Sequence, residues 1–191
     1  MVNQSPMDVL RREYPIARKN ARQEIFRLQL LDEYIEDSEK ESYDAYRNGE
    51  EIKYPGFNES IAFLDKMKNA GVKSINLLVV GMPLSMYTKY AIETVYLEYL
   101  DHGKETFVAE RQKIVWLLDG VTDFWMFDNT KVLPMLYEPS GRIIGAVEPI
   151  IGKEVARYME IKEKLLAKAL PLKEFIRQNH LDLQKKKVIS T

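Results

Sequence analysis

Three carboxylates in the second half of the chain surround one tryptophan. Asp119, Asp123 and Asp128 flank Trp125, and carboxylates placed near one strand could bind a hard cation or serve as general acid and base. However, Asp119 and Asp128 are each followed by a typical turn residue, so turns explain both positions. Only Asp123 remains without a structural explanation. We therefore favour turns over a metal site and predict that the chain binds neither a metal nor a cofactor.

The two histidines, His102 and His180, lie in unlike places, one at a predicted helix end and one in a polar stretch near the tail. They do not suggest a metal pair. No nucleophile elbow and no glycine-rich phosphate loop occurs in the sequence, so hydrolases of the serine type and classical nucleotide binding lack support. An enzyme acting on phosphodiesters through Asp123, Asp128 and His102 is kept as an alternative function.

Four tyrosines, Tyr87, Tyr90, Tyr96 and Tyr99, share a predicted long helix over residues 85–101, in pairs spaced by three. Side chains at this spacing share a helix face. They could line an aromatic ligand pocket, form the face of a homodimer, or close the edge of the core, because tyrosine combines an apolar ring with a polar tip. The sequence leaves these alternatives open.

Composition narrows the classes of partner. Among 191 residues, 28 basic and 29 acidic side chains give a formal net charge of -1, so no global field attracts nucleic acid or an anionic membrane. Direct nucleic-acid binding is therefore not expected. The absence of cysteine excludes disulfides and thiolate metal sites. No apolar signal core or membrane-spanning run is present, and we predict a cytoplasmic protein.

The pattern of apolar residues predicts an α/β domain with a mixed sheet and helices on both faces. Residues 24–34 favour a short strand followed by a turn, although a helix is possible, and residues 72–80 form a nearly continuous apolar run typical of a central strand. Three strand-length runs, over residues 124–127, 131–137 and 142–147, predict a β-meander. Residues 114–118 are interpreted as a further strand.

Capping and breaking residues predict the helices. Ser5 begins a short helix that stops before Pro15, Ser38 caps a helix over residues 39–48 that Gly49 ends, and further helices follow Asn58 and Ser85. Helices over 153–169 and 172–183 precede a polar, lysine-rich tail that we expect to be loose. The predicted organisation is a helical arm over residues 1–23, a single domain over 24–183 and a flexible basic tail over 184–191.

Four blocks of the sequence, in order, resemble a group of uncharacterised bacterial domains that are abundant in actinomycetes. The resemblance covers about residues 26–176 and includes DFWMFDNTKVLPMLYEPSGRIIGAVE, which is similar to the F-W-L-F-D-D phrase of that family. The family has no established activity. Its genes often stand near helix-turn-helix regulators, which implies a regulatory role and a protein partner.

The order of strand, long helix, strand and hairpin also resembles, more distantly, half of a phospholipase D fold, whose catalytic phrase is H-x-K-x-x-x-x-D. If Asp128 is the acid, Val121 and Asp123 stand at the histidine and lysine positions. The other H-x-K phrase, at His102, places Ala109 at the acid position. The resemblance therefore implies a degenerate half-domain without its catalytic residues.

The leading prediction is a non-catalytic, regulatory module that binds a small anionic ligand or a protein partner. We place its pocket at the strand ends, lined by Trp125, Tyr87 and Tyr90, with Arg111 or Arg142 as the anion partner. The alternatives are the hydrolase described above and a structural subunit that dimerises through the 85–101 helix.

Overall fold

A computed structural model describes residues 4–190. The helices are α1 (Pro6–Asn20), α2 (Lys40–Asn48), α3 (Phe57–Asn69), α4 (Met86–Ala91), α5 (Leu97–Asp101), α6 (Arg111–Ile114), α7 (Val155–Leu166) and α8 (Leu172–Gln178). The strands are β1 (Glu24–Gln29), β2 (Ile52–Tyr54), β3 (Lys73–Val80), β4 (Lys104–Glu110), β5 (Phe124–Phe127), β6 (Lys131–Tyr137), β7 (Ile143–Ala146), β8 (Ile150–Ile151), β9 (Leu170–Pro171) and β10 (Val188–Ser190). A π-helical turn (Ile92–Tyr96) joins α4 to α5, and 3-10 turns occupy Val115–Leu117 and Gly152–Glu154.

Eight strands form one mixed sheet in the order β7-β6-β5-β1-β3-β4-β9, with β8 paired to β6. The three central strands β1, β3 and β4 are parallel, whereas β5, β6 and β7 follow one another as antiparallel neighbours. The predicted mixed α/β domain and its β-meander are thus confirmed. The strand interpretation of residues 24–29 is also confirmed, and β3 lies in the interior of the sheet as its apolar run predicted.

Helices cover both faces of the sheet, so the central strands are buried on both sides. On one face, Phe26, Leu28 and Leu77 pack against α7 through Leu165. On the other face, α1 and α3 pack over β1, β5 and β6, and α4 packs over the carboxyl half of β3. No helix within residues 4–190 is long and apolar enough to cross a membrane.

Helix α1 corrects the prediction of a stop before Pro15. The helix continues through Pro15 to Asn20, because the proline removes only one helical hydrogen bond while Val9 and Ala17 remain buried against the sheet. Its first turn lies directly on β7 at Gly145, where a Cβ atom would collide with the backbone of Pro6. This close approach fixes the position of α1 over the sheet.

Two further elements differ from the prediction. Residues 114–118 are helical and not a strand, because the outer edge of β4 is already paired with β9 and offers no free position. The basic tail makes specific contacts: Lys185 forms ion pairs with Glu98 and Asp101, and β10 pairs in parallel with β2. Gly49 ends α2 in a left-handed conformation (φ 71°) as predicted, but Ser38 does not cap that helix.

Candidate functional site

Each of the three central parallel strands carries a pair of polar residues two positions apart. The pairs are Arg27 and Gln29 on β1, Ser74 and Asn76 on β3, and Lys104 and Thr106 on β4. Residues at this spacing point to the same face of a sheet. The strand register then aligns Arg27 with Asn76 and Thr106, and aligns Ser74 with Lys104. A polar band therefore crosses a sheet face that would otherwise be apolar core.

A cavity of about 150 Å³ lies over this band, near the amino ends of the parallel strands. Helix α1, helix α3 and helix α5 form its walls. The lining residues are Tyr14, Arg18, Ile25, Arg27, Ser60, Phe63, Leu64, Ser74, Tyr99, Lys104 and Trp125. Three of them are cationic, and none is an aspartate or glutamate. In the part of the chain that the structure describes, none of these three cations forms an ion pair.

The cationic groups of the cavity lie over aromatic rings. The guanidinium carbon of Arg27 is 5.0 Å from the ring centre of Trp125, and the Lys104 Nζ atom is 5.8 Å from the same centre. The Arg18 guanidinium lies 3.5 Å above the ring of Phe63. Such contacts stabilise a cation only partly, by about 0.5–2 kcal/mol each. Two positive charges therefore lie beside Trp125, and no carboxylate lines the cavity there.

Lys104 is the cation of this cavity whose pKa falls below its ordinary value. Its side chain is only 8% exposed, and burial, together with the positive charges of Arg27 and Arg18, lowers the pKa of Lys104 to about 7. Glu36 and Asp123 act on Arg27 electrostatically, but both lie outside the cavity. An anion that entered the cavity would supply the missing negative charge.

The floor beside the cavity is held by a buried hydrogen-bond network. Gln29 Oε1 accepts from Asn76 Nδ2 and from the Tyr96 hydroxyl, both at 2.8 Å. Tyr96 reaches this position from the π-helical turn between α4 and α5. Asn76 Oδ1 and Thr106 Oγ1 are buried and make no hydrogen bond within residues 4–190. Unsatisfied buried polar atoms are uncommon in folded proteins, and a water molecule, an ion or a catalytic role can account for them.

Of the predicted pocket residues, only Trp125 lies in this cavity. Tyr87 donates a hydrogen bond to Glu39 at 2.7 Å, and the hydroxyls of Tyr90 and Ser42 are 2.6 Å apart. Both tyrosine hydroxyls therefore already have hydrogen-bond partners within the protein. They sit near the carboxyl half of β3, whereas the cavity lies near the strands' amino ends. The structure does not bring the three aromatic residues together.

The two predicted anion partners also lie elsewhere. Arg111 donates to the carbonyl oxygen of Val79 at 3.0 Å and pairs with Asp32 at 3.2 Å. Arg142 pairs with Asp37 at 3.0 Å and lines, with Tyr87, a second cavity of about 170 Å³. Four carboxylates line that second cavity, namely Glu33, Glu36, Asp37 and Glu39. The negative charge of this lining would therefore repel an anion.

The candidate hydrolytic residues are separated and serve structural bonds. Asp123, which is 4% exposed, accepts from the Leu30 amide at 2.8 Å and from the Tyr34 hydroxyl at 2.6 Å, and burial raises the pKa of Asp123. Asp128, at the opposite end of β5, accepts from three successive backbone amides, those of residues 22–24. His102 contacts Asp65 at 2.7 Å. It precedes β4, three strands and roughly 14 Å away from Asp128.

The sequence contains a signal for the cavity, although its chemical motifs do not include the cavity cations. Arg18, Arg27 and Lys104 were not among the predicted site residues. The repeated polar pairs, each two residues apart on a strand of otherwise apolar pattern, are the signal that points to them. Only the register of the sheet shows that the pairs form one band.

A protein family described as "Domain of unknown function (DUF6879)" matches residues 16–177. The chain belongs to this family, and the predicted membership of an uncharacterised domain family is confirmed. A search of curated proteins finds no match. Among solved structures, the chain is similar to TrmBL2, described as an archaeal chromatin protein that shows a novel mode of DNA binding.

The likeness to TrmBL2 has a TM-score of 0.46 at 15% sequence identity and covers 87% of this chain and 51% of that one. The chain thus spans about half the length of TrmBL2. Because this neighbour is a DNA-binding protein, it conflicts with the prediction that direct nucleic-acid binding is not expected, and that exclusion is withdrawn. A likeness at this TM-score assigns no activity to the present chain.

Proposed function

We propose that this chain is a ligand-binding regulatory module whose cavity takes a small organic anion with a flat, apolar body. The observation that carries the proposal is the convergence of Arg18, Arg27 and Lys104 on one cavity that no carboxylate lines. Buried cations are normally paired, because removing an ion from water without a partner is costly. A bound carboxylate would provide that partner.

The size and walls of the cavity define the ligand class. Its volume of about 150 Å³ is below the range of about 300–1,000 Å³ that is usual for drug-sized ligands. The rings of Tyr14 and Trp125 have centres 4.9 Å apart and stand at 55° to each other. A single aromatic ring can lie against such walls while its carboxylate meets the arginines. Benzoate is therefore a suitable probe.

The competing functions have weaker support. An acid and base mechanism would need Asp123, Asp128 and His102 near one another. Asp123 and Asp128 lie at opposite ends of β5, and His102 precedes β4, three strands from Asp128. A dimer face on the 85–101 helix would need its tyrosines exposed, yet Tyr87, Tyr90 and Tyr96 are buried. A phospholipase D-like origin, a cytoplasmic location and a helix-turn-helix partner stay predictions, and the proposed binding depends on none of them.

Benzoate should stabilise the protein in a thermal-shift experiment, whereas benzamide, which has the same shape without the charge, should not. At one hundred times its dissociation constant a ligand adds about 2.7 kcal/mol to the free energy of unfolding. Replacing Arg27 by methionine should weaken benzoate binding by roughly 10–100-fold, because a hydrogen bond to a charged group contributes about 1.5–3 kcal/mol.

Arg142→Met is the matched control, because Arg142 is paired with Asp37 outside the cavity. It should leave the dissociation constant of benzoate, measured by titration calorimetry, unchanged. Equal stabilisation by benzoate and benzamide, or an equal loss of binding in the Arg27 and Arg142 variants, would contradict the proposed site.

A further inference from the structure

Lys104 and Lys162 are equally buried, at 8% exposure, but differ in their partners. Lys162 forms an ion pair with Glu24 and donates to Asn129 Oδ1 at 3.0 Å. Within the described chain, the Lys104 amine forms neither an ion pair nor a hydrogen bond, and its Nζ atom lies near the rings of Tyr99 (5.4 Å) and Trp125 (5.8 Å), which line the cavity with it. Lysine is almost never buried unless it is paired.

A buried lysine without an acidic partner is suited to act as a neutral amine. The lowered pKa of Lys104, about 7, is consistent with this, because about half of such amines are unprotonated near pH 7, whereas an ordinary lysine is almost fully protonated there. Neutral amines are nucleophiles, and lysines placed beside other cations or in apolar pockets form Schiff bases with carbonyl compounds. Arg18 and Arg27 supply the neighbouring cations in this cavity.

We infer that Lys104 is a covalent attachment site, where its amine condenses with the carbonyl group of an aromatic formyl or oxo acid whose carboxylate is held by Arg18 and Arg27. This inference rests on the proposed anion-binding function and names the substrate class of the same cavity. The binding of the carboxylate by the two arginines would hold the carbonyl carbon within the cavity that the Lys104 amine faces.

The reaction needs no further reactant. The lone pair of Lys104 Nζ attacks the carbonyl carbon, and the carbonyl π electrons move to its oxygen, which gives a carbinolamine. The two amine hydrogens then leave with that oxygen as water, and a carbon–nitrogen double bond forms. The rings of Trp125 and Tyr99 would cover the conjugated imine and limit its contact with water.

The experiment uses 4-formylbenzoate. Its matched control is 4-(hydroxymethyl)benzoate, which keeps the carboxylate but has no aldehyde group. The full chain is incubated with 4-formylbenzoate and sodium cyanoborohydride at pH 7, and the reduced adduct is located by peptide mass mapping. Lys104 should be labelled at least roughly ten times faster than Lys162 or the exposed lysines, because its lowered pKa leaves far more of its amine unprotonated than an ordinary lysine has at this pH. Arg27→Met should slow the labelling of Lys104 selectively.

The two compounds separate the inference from the proposed function. If 4-(hydroxymethyl)benzoate binds with one-to-one stoichiometry and Lys104 is nevertheless labelled no faster than Lys162, the imine inference is overturned while anion binding stands. If neither compound binds, both fail. Selective labelling of Lys104 that disappears with excess 4-(hydroxymethyl)benzoate supports both.

Discussion

Replacing Lys104 by methionine should make the unliganded protein more stable by roughly 1–4 kcal/mol at pH 6, the range seen when apolar residues replace buried ion pairs. Methionine can fill the same space against Trp125, and it removes the charge of a residue that is 8% exposed and that the positive charges of Arg27 and Arg18 affect. Most substitutions of buried residues destabilise a protein, so an increase would be distinctive. The same variant should bind benzoate more weakly, which is the expected exchange of function for stability.

The gain should depend on pH. The folded pKa of Lys104 is about 7 and its ordinary value is 10.5. Below pH 7 both the folded and the unfolded state hold the proton, so the cost of the buried charge is complete. Between these two values the unfolded state binds more protons, and the stability of the wild type therefore rises with pH, by at most about 1.4 kcal/mol per unit. The advantage of the variant should shrink accordingly.

Urea unfolding of both proteins at pH 6 and pH 9 measures this difference. Lys162→Met is the control: it removes a lysine of equal burial that is paired with Glu24, and it should lower stability at pH 6 because Glu24 loses its partner. A Lys104 variant that is less stable than the wild type at both pH values would show that the buried charge is compensated in a way that the structure does not contain.

Asp123→Ala should cost roughly 3–5 kcal/mol of folding free energy. The substitution leaves the Leu30 amide and the Tyr34 hydroxyl without their acceptor in a buried place, and each hydrogen bond to a charged group contributes about 1.5–3 kcal/mol. Asp123→Asn should cost less than about 1 kcal/mol, because its amide oxygen can accept from Leu30 and its amide nitrogen can donate to Tyr34.

Chemical denaturation of the two variants tests this structural role of Asp123. Benzoate affinity should be unchanged in Asp123→Asn, because Asp123 does not line the cavity. An asparagine variant that is as unstable as the alanine variant would mean that the negative charge itself holds β5 against β1. An alanine variant with wild-type stability would mean that the two donors find other acceptors.

Local patterns predicted the order of most elements. The apolar run of β3, the meander of β5 to β7 and the left-handed stop at Gly49 each depend on a few neighbouring residues, and the structure contains all three. Local patterns did not predict the features that depend on tertiary packing. Pro15 predicts a helix end, but burial of Val9 and Ala17 holds α1 together across it.

The cavity depends on residues that are far apart in the chain. Arg27 is paired with Trp125 across β1 and β5, and Lys104 is brought beside Ser74 by β3 and β4. This register arises from the tertiary fold and cannot be obtained from the separate strands. Ser74 and Asn76 lie within the mostly apolar run of β3. Their spacing indicates a site only when the polar pairs of the neighbouring strands β1 and β4 are placed beside them.

Tyrosines gave a misleading signal for the same reason. Tyr87 and Tyr90 lie three apart on a helix, as ligand-lining residues could, but Glu39 and Ser42 on the neighbouring segment bind their hydroxyls. Hydroxyls that are already bonded have little to offer a ligand. Trp125 is predicted to line a pocket and does line the cavity, but the charge beside it comes from cations on other elements.

The most direct test of the anion site is the fluorescence of Trp125 during a benzoate titration. Trp116→Phe leaves Trp125 as the single tryptophan, and Trp116 is 68% exposed, so its replacement should not disturb the core. We expect a saturable change in emission with benzoate, none with benzamide, and a much weaker response when Arg27 is also replaced by methionine. Emission that does not respond to benzoate, or that responds equally to benzamide, would contradict an anion site beside Trp125.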